Sequence, residues 1–222
     1  MSTLQIGNPL RYARPYDASA ETIDGLPNYF YVTALAGDTM PLLDKGINPI
    51  RAVEASSGNR VPAILIGSSP HKHGSDDTPW QDLFEPDRGF VRYFGDNRHN
   101  GIRPELSKGN AVLLPQFAVH NSASAESRAH AVPLLLFQRA QVDGRAKGNV
   151  VFQGFGVISA AELVSQMNPT TKEVFANYVF EIAILSMADE GEQFDWQWIN
   201  ARRNPKLTLK ETHSHPIGSG KA

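Results

Sequence analysis

Between Thr78 and Arg103 the chain reads TPWQDLFEPDRGFVRYFGDNRHNGIR, a run in which aromatic, acidic and basic side chains alternate around glycines and prolines. Trp80, Phe90, Tyr93 and Phe94 offer flat faces for stacking. Asp82 and Asp96 offer hydrogen-bond acceptors, and Arg88, Arg92, Arg98 and Arg103 offer cations that seek phosphate. Together these types can hold a nucleobase taken out of its stack, with π faces sandwiching the ring and a carboxylate or amide reading its Watson–Crick edge. A plainer reading stands beside it. Gly89–Gly95 can be an amphipathic strand with Phe90 and Phe94 on one face and Arg92 on the other.

A second cluster, His71-Lys-His73-Gly-Ser-Asp76-Asp77, invites a metal, because imidazoles two apart with nearby carboxylates ligate zinc. It departs from the hydrolase pattern H-x-H-x-D-H at Ser75, and a solvated loop explains it as well. His213 and His215 have no carboxylate close in sequence. No phosphate-binding glycine loop, G-x-S-x-G elbow or dinucleotide fingerprint occurs, so no cofactor is expected. Metal-dependent phosphodiester cleavage needs carboxylates around a divalent ion, and no acidic residue followed by E-x-K or D-x-K is found.

The elements that must position these groups read mainly as strands. Asn28–Ala36 has the aromatic and β-branched make-up of a strand. Pro49–Ala55 and Val61–Ile66 flank a hairpin turn at Ser56–Arg60, and the continuously apolar second arm is expected to be central. Glu105–His120 suggests a short helix broken by Pro115. Asn121–Ala131 is small and polar, a solvated helix or loop. Val132–Val142 and Asn149–Ile158 form a hairpin whose loop carries Arg145 and Lys147. Ser159 with Glu162 has the form of a capping box and predicts a helix start. Glu173–Met187 reads as a long buried strand, and Phe194–Ala201 as a half-exposed strand or helix entry. If it is a strand, Trp196 and Trp198 share a face. Residues 206–222 look like a flexible tail, leaving 1–205 as one domain. The expected class is α+β, mainly β: a curved antiparallel sheet or open barrel with a few short helices.

The whole chain has 222 residues, 41% of them hydrophobic, a net charge of −2 and no cysteine. It can bury a core, has no apolar run of membrane-spanning length, and cannot form disulfides. The start, MSTLQIGNPLRYARP, lacks the apolar segment of a secretory leader, so a bacterial cytoplasmic location is expected. A near-neutral DNA binder must segregate its charge. From Arg88 to Lys108 there are five cations (Arg88, Arg92, Arg98, Arg103, Lys108) against Asp96 and Glu105, with His99 in addition. A second basic group holds Arg202, Arg203, Lys206 and Lys210.

The pattern W-x-D-x-F-x-x-D-x-G-x-x-R-Y-x-G-D-N, running from Trp80 to Asn97, resembles the N-terminal reader domain of modification-dependent restriction endonucleases of the AspBHI type. The resemblance extends to Phe175–Arg203, with its NYVFEIAILS and W-x-W-I-x-x-R-R patterns. It implies an SRA-like crescent barrel that binds double-stranded DNA carrying a modified base, 5-methylcytosine or a related cytosine, by flipping it. The implied base pocket draws on Trp80, Asp82, Tyr93, Phe94, Asp96 and Asn97. Phosphate contacts are expected from Arg88, Arg92, Arg98, His99, Arg103 and Lys108, with Arg145, Lys147, Arg202 and Arg203 in addition. In that family the nuclease is a separate C-terminal domain, so this chain is expected to read without cutting. The competing functions are a metal-dependent nuclease or hydrolase using His71, His73, Asp76 and Asp77, and a structural barrel that binds a protein.

Overall fold

The computed structural model describes residues 3–13, 16–36, 41–56, 58–69, 74–75, 79–144, 148–185 and 193–213. The chain divides into two compact units, the first Met1–Gly67, Leu135–Gly154 and Met187–Ala222, the second Ser68–Leu134 and Phe155–Ser186. The sheets are open and the described helices short, in keeping with a mainly β, α+β chain. No described helix is long and apolar enough to cross a membrane.

In the first unit the strands run in the order Ile47–Pro49, Ile64–Ser68, Leu134–Arg139 and Asn149–Met167, with Pro9–Arg11 antiparallel to the start of the last. The apolar arm is central, as its composition predicts, although the strand begins at Ile64. Ile64, Leu65, Ile66, Leu135, Leu136, Phe137 and Phe152 are 0–1% exposed and form the core with Phe194 and Trp196. Thr3–Gln5 pairs with Gln193–Asp195, which brings Leu4 opposite Phe194. The hairpin turn joins Val53–Ala55 to Gly58–Arg60, a small separate pair.

Asn28–Ala36 is not a strand. Asn28 caps the helix Tyr29–Thr33: its side chain accepts from Phe30 N–H at 3.0 Å and donates to the Asp17 and Ala20 carbonyls. Of the aromatic residues that suggest a strand, Tyr29 and Phe30 are buried by this helix instead. The helix Gln197–Arg203 follows the strand Gln193–Asp195, so Trp196 and Trp198 do not share a strand face. Trp196 is fully buried, and the Trp198 indole N–H donates to the Thr212 carbonyl at 2.9 Å. Residues 206–213 are held as well. Arg60 donates to the carbonyls of Arg202, Asn204 and Leu207 at 2.7–2.8 Å, and Thr212 in the helix Leu209–His213 is buried. The expected tail therefore does not begin at Lys206, and 214–222 lie outside the described residues.

In the second unit the order is Asn149–Met167, Val174–Leu185, Phe90–Phe94 and Leu83–Glu85, all antiparallel. Ser159-x-x-Glu162 starts no helix: it lies inside the 19-residue strand, at a register shift between Ile158 and Ala160. The Ser159 hydroxyl donates to the Glu181 carbonyl across that irregularity. Lys108–His120 is one continuous helix containing Pro115. At its end His120 Nδ1 accepts the Ile158 N–H at 3.0 Å, and the Asn121 side chain donates to the Ile158 carbonyl at 2.9 Å. A further short helix, Ala125–Ala129, lies in the small polar stretch.

Candidate nucleic-acid interface

The strand Phe90–Phe94 sorts the aromatic residues by its two-residue period. Val91 and Tyr93 point to the buried face, at 0% and 4% exposure. Phe90, Arg92 and Phe94 share the opposite face, so Arg92 is not across the sheet from the phenylalanines as the plainer reading had it. Its guanidinium carbon lies 6.0 Å from the centre of the Phe94 ring. On the same ring Trp80 stacks at 6.4 Å with 28° between planes. Trp80 and Phe94 are both half-buried, and Tyr93 is a core residue, its phenol pKa pushed up by burial. Gly89, at φ +66°, ends the 3-10 turn Pro86–Arg88 and lets the strand start.

Asp82 sits beside this pile, half-buried, with each carboxylate oxygen engaged once. Oδ1 accepts the Phe94 N–H at 3.0 Å and Oδ2 accepts the Ser68 hydroxyl at 2.9 Å. Burial pushes its pKa up to about 6, against the lowering effect of those two bonds. Each oxygen keeps acceptor capacity. Ser68, 2% exposed at the end of its strand, has no sequence signal that would have marked it.

The Gly95-Asp96-Asn97 corner is bound into the fold. The Asp96 carboxylate accepts from the Ser107 hydroxyl at 2.7 Å, Gly109 N–H at 2.8 Å and Asn110 N–H at 3.2 Å, capping the helix that starts at Lys108. Asn97 is 2% exposed and its amide donates to the Ala176 carbonyl at 2.6 Å. Asn177, fully buried, accepts from the Asn97 and Tyr178 N–H groups and from the Asn110 amide, and donates to the Gly95 carbonyl and Gln166. A Cβ at Gly95 would collide with the Asn110 side-chain oxygen, so glycine is required there. Asp96, Asn97 and Tyr93 thus have structural work, which the spacing of the pattern did not disclose. Asn110 and Asn177 were missed; a polar residue on a buried face position of the NYVFEIAILS strand was the available signal.

The cations divide by environment. Arg92, Arg98, His99 and Lys108 are exposed in the second unit. Arg88 faces Glu85 at 3.4 Å and Arg103 pairs with Glu105, both at the surface. In the first unit Arg202 is not available to phosphate: it is 2% exposed and donates to the Pro62 carbonyl at 2.7 Å. Burial, with Arg60 nearby, lowers its pKa to about 10. Arg203 is half-buried. Arg145, Lys147, His71, His73, Asp76 and Asp77 lie outside the described residues. Among the described residues no three His, Cys, Asp or Glu side chains gather in a way that could hold a metal.

Two outcomes follow from these contacts. Asp96→Ala removes a helix cap and lowers stability by about 1–2 kcal/mol in a denaturant titration. Asp82 has a folded pKa above its ordinary value, so the folded state binds the extra proton and stability falls as pH rises from about 4 to about 6. Asp82→Asn abolishes that fall and raises stability at pH 7.5 by on the order of 2 kcal/mol, read from thermal melts across pH.

The family model described as restriction endonuclease AspBHI N-terminal matches residues 45–217. Among solved structures, the MspJI restriction endonuclease in complex with a 27-mer oligonucleotide is 36% identical, with a TM-score of 0.82 over 97% of this chain and 49% of that one. The chain thus spans about half the length of MspJI. The DNA modification-dependent restriction endonuclease AspBHI has a TM-score of 0.55 at 21% identity, covering 75% of this chain and 72% of that one. The DNA recognition domain of the cytosine modification-dependent restriction endonuclease LpnPI has a TM-score of 0.59 at 18% identity, covering 99% and 93%. No curated protein matches. With the signature from Trp80 to Asn97 inside the matched region, the chain belongs to the family of AspBHI-type restriction endonuclease N-terminal domains.

Proposed function

We propose that this chain is a DNA-reading domain that binds duplex DNA carrying a modified cytosine, 5-methylcytosine first among them, with the base turned out of the helix. The observation that carries the reading is the half-exposed Trp80–Phe94 stack beside an anchored acceptor, Asp82. Trp80 supplies the stacking face and Phe94 backs it. Asp82, rather than Asp96 or Asn97, accepts from the exocyclic amine of cytosine, and an apolar wall favours the 5-methyl group. Membership of the family and the oligonucleotide complex of the 36%-identical MspJI support a DNA ligand. The similar LpnPI domain, from a cytosine modification-dependent restriction endonuclease, supports the choice of base.

Arg92, Arg98, His99 and Lys108 contact phosphate oxygens in this proposal, joined by Arg88 and Arg103 when their surface carboxylates yield. Exposed pairs of that kind are weak and easily exchanged. Arg145, Lys147 and Arg203 extend the backbone contacts; Arg202 does not. Cutting belongs to a nuclease elsewhere in the parent protein, and the reading domain works without catalysis of its own, in the bacterial cytoplasm. Its module takes in the helix Leu209–His213.

Binding of modified duplex therefore weakens steeply with salt. For about four engaged cations, log K against log salt has a slope of roughly −3 to −4 in a fluorescence anisotropy titration. A flat salt response rules out the phosphate contacts. Trp80→Ala loses about 1–3 kcal/mol of affinity for a 5-methylcytosine duplex. Unchanged affinity in a variant with a wild-type melting curve removes Trp80 from the site.

A further inference from the structure

A carboxylate that is to recognise an amine must keep its charge, and Asp82 sits half-buried with one hydrogen bond at each oxygen and no paired cation among the described residues. Two groups hold it. The Phe94 N–H is fixed by the strand, which places Phe94 opposite Val179. The Ser68 hydroxyl, buried at 2% exposure, is the other, at 2.9 Å from Oδ2. A hydroxyl can rotate to donate or accept, so Ser68 alone leaves the protonation state open. Against an ionised carboxylate, however, it donates. Because the backbone N–H must donate to Oδ1, the proton of a neutral Asp82 would sit on Oδ2, where it would displace the serine's donated bond.

We propose that Ser68 is a specificity-determining positioning residue: its hydroxyl holds Asp82 as an acceptor-only carboxylate, so that the site selects a ring edge bearing an amino group over one bearing a carbonyl. The inference rests on the reading above, in which Asp82 faces the base. An amino group at that edge donates to Oδ2 or Oδ1 and is accepted. A carbonyl there meets a negative oxygen and is repelled. With the hydroxyl gone, Asp82 keeps one donor and takes up a proton more readily. Its neutral form then offers a donor as well as acceptors, and the preference blurs. Among the described residues the phenol of Tyr93, on the adjoining strand, feels the charge of Asp82 and stays neutral throughout the range concerned. Arg92, on that strand, lies over Phe94.

The test uses the full chain with Ser68→Ala and Ser68→Thr, the latter keeping the hydroxyl. The Asp82 carboxyl carbon is titrated by NMR in the free protein. In parallel, affinity is measured from pH 5 to 8 for duplexes that differ only in carrying 5-methylcytosine or thymine, opposite guanine, at one position. In the wild type the preference for 5-methylcytosine falls as pH drops through about 6. Ser68→Ala moves the carboxyl midpoint up by about one pH unit and cuts the preference at pH 7 on the order of tenfold. Ser68→Thr restores both. An unmoved carboxyl midpoint in Ser68→Ala overturns the role of the serine, and so does an unmoved preference where Asp82→Asn abolishes it. If Asp82→Asn itself leaves the preference intact, the placement of Asp82 at the base fails instead. The carboxyl titration needs no ligand, and a Ser68→Ala chain too unstable to titrate is replaced by Ser68→Cys, whose thiol is the weaker donor and gives a shift in the same direction.

Discussion

A helix that begins inside a domain leaves its first N–H groups without intrahelical partners, and here the carboxylate of Asp96 meets two of them, at Gly109 and Asn110. That one interaction ties the end of the signature strand to the helix Lys108–His120. A negative charge at a helix start is favoured by the helix dipole as well as by the bonds themselves. The close approach it enforces leaves no room for a side chain at Gly95 and places Asn110 against Asn177. Asn177 in turn fixes the backbone of Gly95, Asn97 and Tyr178. Asn97, Asn110 and Asn177 of this corner are buried, where an unmatched polar group costs more than the average bond contributes, and the Asn110 side-chain oxygen is left without a hydrogen-bond partner.

What this leaves for ligand contact is narrower than the run of aromatic and acidic residues suggests. Tyr93 and Asn97 are buried and the exposed Asp96 caps a helix, whereas Trp80, Phe94 and Asp82 are half-buried. The division has a simple origin in the strand. Odd-numbered Val91 and Tyr93 face the core, and even-numbered Phe90, Arg92 and Phe94 face away. A rigid backing for a stacking face is worth having because a side chain already fixed loses little freedom when a ring settles on it.

The sequence was legible where one local rule governed the outcome. The strand at Phe90–Phe94, the central Ile64–Ser68 and the long Val174–Leu185 follow from composition and period. It was not legible where a distant partner decided. The aromatic run after Asn28 makes a helix because a buried asparagine caps it and reaches Asp17 and Ala20. The Ser159–Glu162 spacing fits a capping box, yet pairing with Val174–Leu185 holds it extended. Asp96 could not be known as a cap without knowing where its helix starts, nor Ser68 as a partner of Asp82 without the sheet that brings them together. The Arg60 bonds that order Leu207 are of the same kind, joining residues far apart in the chain.

The first unit is assembled from three separate stretches of chain, and its outermost pair joins Thr3–Gln5 to Gln193–Asp195. On a ribosome, then, the strand Thr3–Gln5 has no partner until Gln193–Asp195 has been made. The second unit needs nothing beyond Ser186 and has all of its segments available earlier. The unit that carries the signature thus has all of its segments before the unit that holds Thr3–Gln5 does, and can close first. During that interval Leu4, destined for complete burial, is exposed to water and to other nascent chains. That interval runs from the making of Thr3–Gln5 to the making of Gln193–Asp195, and pairing of the two strands ends it.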